Sequence, residues 1–277
     1  MQENTYPIDV NSSVESARLL YQDRVLTREM QGLGLKDLGL SAHRVLDLAC
    51  GPGGWVLEVA FDNPEIEVLG VDISEQMIVY ARTQAGEQGL ENASFQRMNI
   101  LQPLPFPDAA FDVVNARLIF SFMTPATWPA LLRECFRILR TGGVVRLTEC
   151  ELPITSSAAL TASELMTVQA LQKSGQISSS DRVHLGATIE LAPLLKSCGY
   201  TEVRNKAYAI DFSAQTGSHQ TLCQTFTSGM ILIRPFLAKM GLSVQEFNAL
   251  CEQATSDMRS ETFKALWFYV SVLGTKP

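Results

Sequence analysis

The chain has 277 residues, 46% of them hydrophobic and 18% charged, and a net charge of −7 from 22 basic and 29 acidic residues. That composition suits a packed soluble protein with one large α/β domain, alone or with a small appended one. It argues against a nucleic-acid partner, since no basic run is present, and no apolar run approaches the roughly 18 residues of a membrane span.

The first ten residues are polar, without the charged-then-apolar pattern of a secretion signal. The six cysteines (50, 135, 150, 198, 223 and 251) are scattered and form no C-x-x-C pair, so zinc and redox motifs are not expected. Reduced, buried thiols in a cytoplasmic protein are the expected state.

Residues 1–9 read as an extended lead-in. From Ser12 to Met30, Val14, Ala17, Leu20 or Tyr21, Val25 and Leu26 recur at helical spacing, and Gly32, Gly34 and Gly39 then break the pattern. From His43 strand and helix alternate. Arg44–Ala49 is a strand, Gly54–Phe61 a helix, and Glu67–Val71 a second strand. Ser74 caps a helix from Glu75 to about Gln88 with Met77, Ile78 and Ala81 inward. Ser94–Met98 and Phe111–Ala116 are strands, separated by the loop around Pro103, Pro105 and Pro107. Thr124-Pro125 is expected to open a helix with proline at its first position. Trp128, Leu131, Leu132, Cys135, Ile138 and Leu139 form its apolar stripe, Gly142-Gly143 is expected to end it, and Val144–Cys150 is a fifth strand.

This alternation predicts a parallel sheet with helices on both faces and right-handed crossovers. Beyond it, Thr155–Lys173 is helical and Gln176–Asp181 a loop. Ile189–Cys198 is a helix, Tyr200–Phe212 is extended, and residues 222–240 are helical with an interruption at Pro235. Ser243-x-x-Glu246 opens another helix, and Phe263–Gly274 is a final buried strand.

The chemistry centres on Val45–Trp55, a strand running through a glycine-rich turn into a helix. Ala49-x-Gly51-x-x-Gly54 is a degenerate match to a dinucleotide-binding turn, and Asp72 ends the next strand roughly 20 residues on, where that fold uses an acid to bind a ribose. Gly51 and Gly53 allow positive φ and a close backbone approach. The helix N-terminus offers its dipole to a polar or anionic group, here expected to be a carboxylate-bearing tail. A nucleoside with free ribose hydroxyls fits either a dinucleotide or an adenosine ligand. Asp47, inside the first strand, favours a ligand with an amino-acid end, because a buried carboxylate needs donors. Asn99, after the third strand, can donate to and accept from an adenine edge.

Val45–Gly54, Val68–Ser74, Phe111–Val114 and Ile138–Gly143 together resemble the class I S-adenosylmethionine-dependent methyltransferases, most closely small-molecule members with a ubiquinone/menaquinone-methyltransferase-like core. The resemblance covers roughly residues 43–150. It implies a Rossmann-like, seven-stranded, mostly parallel sheet with an antiparallel last strand, helices on both faces and helical lid insertions. By position, Asp47, Ala49, Gly51 and Gly53 would hold the methionine end. Asp72 would bind the ribose, with Ile73 and Met77 packing near the adenosine, and Asn99 and Ile100 would flank the adenine. Asn115 would lie near the methionine amino group through its backbone carbonyl. Ala49 stands where the first glycine is usual, and Asn99 where an aspartate is common. Residues 1–42 would form an N-terminal helical cap and 43–277 the methyltransferase domain, with lid insertions at about 152–186 and 213–262. In similar enzymes such a cap folds over the cofactor, so Arg18, with Gln22 one turn on, is expected to pair with the cofactor carboxylate.

On this reading S-adenosylmethionine gives its methyl group to O, N or C of a small, fairly apolar molecule and leaves as S-adenosylhomocysteine. The protein supplies in-line placement and a dry pocket, and no metal. His184 is the weak candidate for a base, and Arg117, Phe120 and His184 are the expected acceptor-side residues. The apolar run Met230–Met240 belongs to the lid, or packs on the sheet or at a homodimer interface. Two other classes remain open from sequence: a cofactor-binding regulator or partner subunit without turnover, and an NAD-dependent oxidoreductase.

Overall fold

In the computed structural model, residues 6–9, 12–30, 35, 42–177 and 184–277 are described. The glycine breaks at 32, 34 and 39, and most of the loop expected at 176–181, lie outside them. The chain opens with α1 (Ser13–Glu29), capped by the Ser12 side chain, which accepts the Glu15 N–H. Strand β1 (Arg44–Leu48), α2 (Gly54–Asp62), β2 (Glu67–Asp72), α3 (Glu75–Gln88), β3 (Ala93–Arg97), β4 (Phe111–Arg117), α4 (Thr127–Ile138) and β5 (Leu139–Cys150) follow. Then come β6 (Ile154–Thr155), α5 (Ala158–Lys173), α6 (Ala187–Ser197), β7 (Thr201–Asp211), α7 (His219–Leu232), α8 (Arg234–Lys239), α9 (Val244–Met258) and β8 (Ala265–Thr275).

The strands form one sheet in the order β3-β2-β1-β4-β5-β8-β6, with β7 also paired to β8. Strands β1 to β5 are parallel, and β8 runs antiparallel to β5, β6 and β7. The sheet has eight strands where seven were expected; the addition is the two-residue β6, which meets β8 just beyond the point where β5 leaves it. Alternation along β1 sets the layers. Val45 packs with α2 and α3 on one face, while Leu46 and Leu48 pack with α4 and α6 on the other. A separate core joins α1, α5, α7 and α9 to β8 through residues such as Leu26, Leu160, Leu222, Phe247 and Tyr269.

Two boundaries depart from the sequence reading. Helix α4 starts at Thr127, not at Pro125. Thr124 and Thr127 instead exchange backbone and hydroxyl hydrogen bonds in a turn, so proline lies before the helix. Gly142-Gly143 does not end a helix: α4 stops at Ile138 and β5 already runs through both glycines. The β4–β5 register shifts between Phe111 and Val113 because this stretch bulges. Gly142, at φ 75, donates to the Lys276 carbonyl, and a Cβ on Gly143 would lie 2.8 Å from the Arg140 carbonyl oxygen.

Candidate active site

Strand β1 lies between β2 and β4, where the strand order reverses, and open α/β sheets bind ligands beyond the C-terminal strand ends at that point. Beyond β1 the chain turns through Ala49, Gly51 and Gly53, all at positive φ (54°, 54° and 83°). The Cys50 N–H donates to the Val71 carbonyl, tying the turn to β2. The glycines serve different ends. A Cβ on Gly51 would meet only Leu19 of α1, at 3.8 Å, so its backbone borders open space. A Cβ on Gly53 would lie 2.6 Å from Phe95 and 2.8 Å from Ala81, so glycine is needed there for packing beneath the turn, and Gly53 is not in the cleft wall. Ala49 holds its left-handed conformation at a cost of about 1–2 kcal/mol.

The cleft is walled by this turn, the ends of β2 and β4, the segment after β3, and α1. Asp47, Ala49, Gly51, Asp72, Ile73, Met77, Asn99 and Ile100 all line it. Asp72 accepts the Gly51 N–H on Oδ2 (2.9 Å) and the Ser74 N–H on Oδ1 (2.8 Å). Burial raises its carboxyl pKa, against the Ser74, Gly51 and Ile73 backbone N–H groups. A carboxylate offers about four lone-pair sites, so each oxygen keeps capacity for a further donor. Asn99 Oδ1 accepts the Leu101 N–H (3.0 Å), which fixes the side chain and leaves its carbonyl a second lone pair.

Asp47 is buried and accepts a hydrogen bond from Asn115 Nδ2 at 2.7 Å. Burial pushes its carboxyl up to about 7, opposed by Arg117 and by the Asn115 hydrogen bond. Asn115 lies opposite Asp47 in the β1–β4 register and is not in the cleft wall; its own Oδ1 is buried with no hydrogen-bond partner among the described residues.

Helix α1 closes the cleft with Glu15, Leu19, Gln22, Asp23 and Leu26, but its polar groups work differently from the expectation. Arg18 does not face the cleft. It makes a two-pronged pair with buried Glu15 (2.6 and 2.7 Å) and donates to Gln22 Oε1 (2.8 Å), while Tyr6 donates its hydroxyl to Glu15 (2.6 Å). The arginine in the cleft wall is Arg117, expected on the acceptor side. Its guanidinium pairs with Asp23 and lies 5.9 Å from the Trp55 ring centroid. Asp23 also sets its carboxylate against Gly54, the first residue of α2, so the helix dipole assigned from sequence to a ligand carboxylate is met by Asp23.

A second cavity adjoins the cleft, sharing Tyr6, Leu19, Gln22 and Leu118 with it. Arg18 and Phe120 line this cavity; His184 lines neither. Sequence reasoning missed Asp23, Glu15 and Tyr6. The signal was there in α1, since Glu15, Leu19, Gln22 and Leu26 recur at three- and four-residue spacing and mark the face turned to the cleft.

Residues 45–143 match the family described as "Methyltransferase domain". Demethylmenaquinone methyltransferase of Deinococcus radiodurans is 38% identical over 120 residues, 43% of this chain and 47% of that protein. The uncharacterized methyltransferase YcgJ of Bacillus subtilis is 35% identical over 140 residues, covering 48% of this chain and 52% of YcgJ. The chain thus spans about half the length of the curated relatives it matches. The crystal structure of YcgJ superposes at a TM-score of 0.55 with 18% identity, covering 88% of this chain and 98% of YcgJ. Phosphoethanolamine N-methyltransferase 2 of Haemonchus contortus, solved with phosphomonomethylethanolamine and S-adenosylhomocysteine, superposes at 0.59 with 15% identity, over 100% of this chain and 61% of that one. At such identities the superpositions bear on the fold alone. Residues 45–143 thus carry the match to the methyltransferase-domain family, and the chain shares the fold of the solved YcgJ structure.

Proposed function

We propose that the chain transfers a methyl group from S-adenosylmethionine to a small organic acceptor. The observation that carries this is the pairing of two acids in one cleft: Asp72, with lone pairs to spare at the end of β2, and Asp47, buried behind the turn with one hydrogen-bond donor. A ribose supplies two vicinal hydroxyl donors for the first, and an α-ammonium supplies the second with a charged donor beyond the Asn115 amide. A dinucleotide has no group for Asp47. The cofactor supplies a methyl group on a positively charged sulfur, already activated for transfer to an acceptor lone pair.

The chain's own residues bind and orient. Gly51 offers its backbone to the ligand without a Cβ between them. Met77 and Ile100, both buried, give the adenosine an apolar wall, and Asn99 supports the adenine edge. Helix α1 covers the cleft and keeps water from the transfer, which supports the reading of residues 1–42 as a cap. The acceptor is a small molecule, in keeping with the net charge of −7 and a sequence without a basic run, and the adjoining cavity is its seat. Helices α5 and α7–α9 then act as the lid. No helix among the described residues is long and apolar enough to cross a membrane, and the six free thiols suit a reducing cytoplasm. Sedimentation of the full chain would distinguish a monomer from the homodimer that the sequence allows.

Isothermal titration tests the proposal. S-adenosylhomocysteine is expected to bind one to one and NAD not at all. NAD binding without S-adenosylhomocysteine binding would overturn it. A homocysteine-release assay over an acceptor panel separates an enzyme from a binding subunit.

A further inference from the structure

The adjoining cavity has an uneven balance of charge. Phe226 and Met230 of α7, Ile233 between α7 and α8, Leu171 of α5 and Trp267 of β8 make most of its wall apolar. Among the described residues three charged side chains reach it: Arg18, Glu151 and Glu164. Arg18 is already matched by Glu15 and Gln22. Glu151 is satisfied too: one oxygen accepts the Leu185 N–H (2.8 Å), the other the Gly186 N–H (3.1 Å) and the Thr188 hydroxyl (2.7 Å). Glu164, partly buried on the same face of α5 as Thr167 and Leu171, accepts no hydrogen bond from the described residues. A carboxylate facing apolar walls without a donor is costly, and burial pushes its carboxyl up to about 7 even with Arg18 opposing.

From this imbalance we infer that Glu164 is the polar anchor of the acceptor site, and that it selects an amphiphile with an apolar body and a hydrogen-bond-donating head, an amine or a hydroxyl, and rejects anionic heads. The apolar residues bury the body. Glu164 takes the donor that no described residue supplies, and two carboxylates against one neutralised guanidinium leave an anion no free cation among the described residues. Glu164 is here a specificity-determining residue. The inference rests on the methyltransferase reading for what the bound molecule is, but not for its binding.

Three probes with one eight-carbon tail separate the head groups: octylamine, 1-octanol and octanoate, titrated into the full chain saturated with S-adenosylhomocysteine and into the chain alone. Octylamine is expected to bind at least tenfold more tightly than octanoate. Octanol matching octylamine, or falling between the two, supports the donor head in either case. Glu164→Gln is expected to shrink the amine-over-carboxylate preference to under threefold while S-adenosylhomocysteine affinity stays within twofold, since Glu164 is outside the cofactor cleft. The wild-type preference needs no variant, so a misfolded Glu164→Gln protein would not rescue the idea. Equal binding of octanoate and octylamine, binding of none of the three, or a tenfold preference surviving in Glu164→Gln would overturn it. Loss of S-adenosylhomocysteine binding with the head-group preference intact would instead count against the cofactor reading alone.

Discussion

Asp47→Asn should make the protein more stable and a poorer cofactor binder at once. Asp47 is 3% exposed, and its carboxyl is raised from 3.8 to about 7 by burial, against the pull of Arg117 and Asn115. In the unfolded chain it ionises near 3.8, so between these values the folded state holds a proton that the unfolded state has released. Stability therefore falls as pH rises from about 4 to about 7, and is flat above that. Roughly three pH units at 1.36 kcal/mol each give a penalty of about 4 kcal/mol at pH 8. Asparagine has the same shape, can keep a hydrogen bond to Asn115, and carries no charge to desolvate. Urea unfolding at pH 8 should show Asp47→Asn more stable by about 2–4 kcal/mol, and the two proteins should converge near pH 4. The same change removes the anion that meets the ligand ammonium. A charge-assisted hydrogen bond contributes about 1.5–3 kcal/mol, so S-adenosylhomocysteine affinity should drop roughly 10- to 150-fold. A variant no more stable than wild type at pH 8 would refute the argument from burial. One with unchanged affinity would refute the role given to Asp47.

Gly53→Ala combines left-handed backbone strain of about 1–2 kcal/mol with overpacking against Phe95 and Ala81 of about 1–3 kcal/mol. It should lower the urea midpoint strongly, whereas Gly86→Ala, whose Cβ meets nothing, should not. Arg18→Met strands buried Glu15 and should cost about 3–5 kcal/mol in unfolding experiments. Adding Glu15→Gln should recover most of that. Asp72→Ala should weaken S-adenosylhomocysteine by roughly 10- to 150-fold in titration calorimetry. Asp112 accepts the His43 and Arg44 N–H groups (2.7 Å each) and pairs with Arg140. Burial raises its carboxyl pKa, but those donors outweigh it and the net shift is downward. That contribution is present above the unfolded value near 3.9 and lost as pH falls through the lowered one. Asp112→Asn should therefore cost about 2–3 kcal/mol at pH 7 and little in strong acid.

The parallel core was legible because its cues are local. Val45, Leu46 and Leu48 alternate between faces, Ser74 caps α3, and Asp72 stands at the right distance from the turn. Position alone brought Asp47, Ala49, Gly51, Asp72, Ile73, Met77, Asn99 and Ile100 to one cleft. Gly142-Gly143 misled because the same pair can end a helix or bulge a strand, and the deciding partner, Lys276, lies at the far end of the chain. Arg18 and Arg117 exchanged places for the same reason. A guanidinium goes to the carboxylate that tertiary packing brings near, and neither the Glu15–Tyr6 contact nor the meeting of Asp23 with Gly54 can be read from spacing along one helix. Glu164 gave no signal in sequence, because its want of a donor depends on what α7 and β8 place around it.

A crystal structure with S-adenosylhomocysteine bound would decide the cofactor assignment. The ribose hydroxyls are expected on Asp72, the adenine beside Asn99 and Ile100, and the ammonium on the Asp47 side of the glycine turn. A ligand seated away from this cleft, or turned so that Asp47 meets no ammonium and Asp72 no ribose, would contradict it.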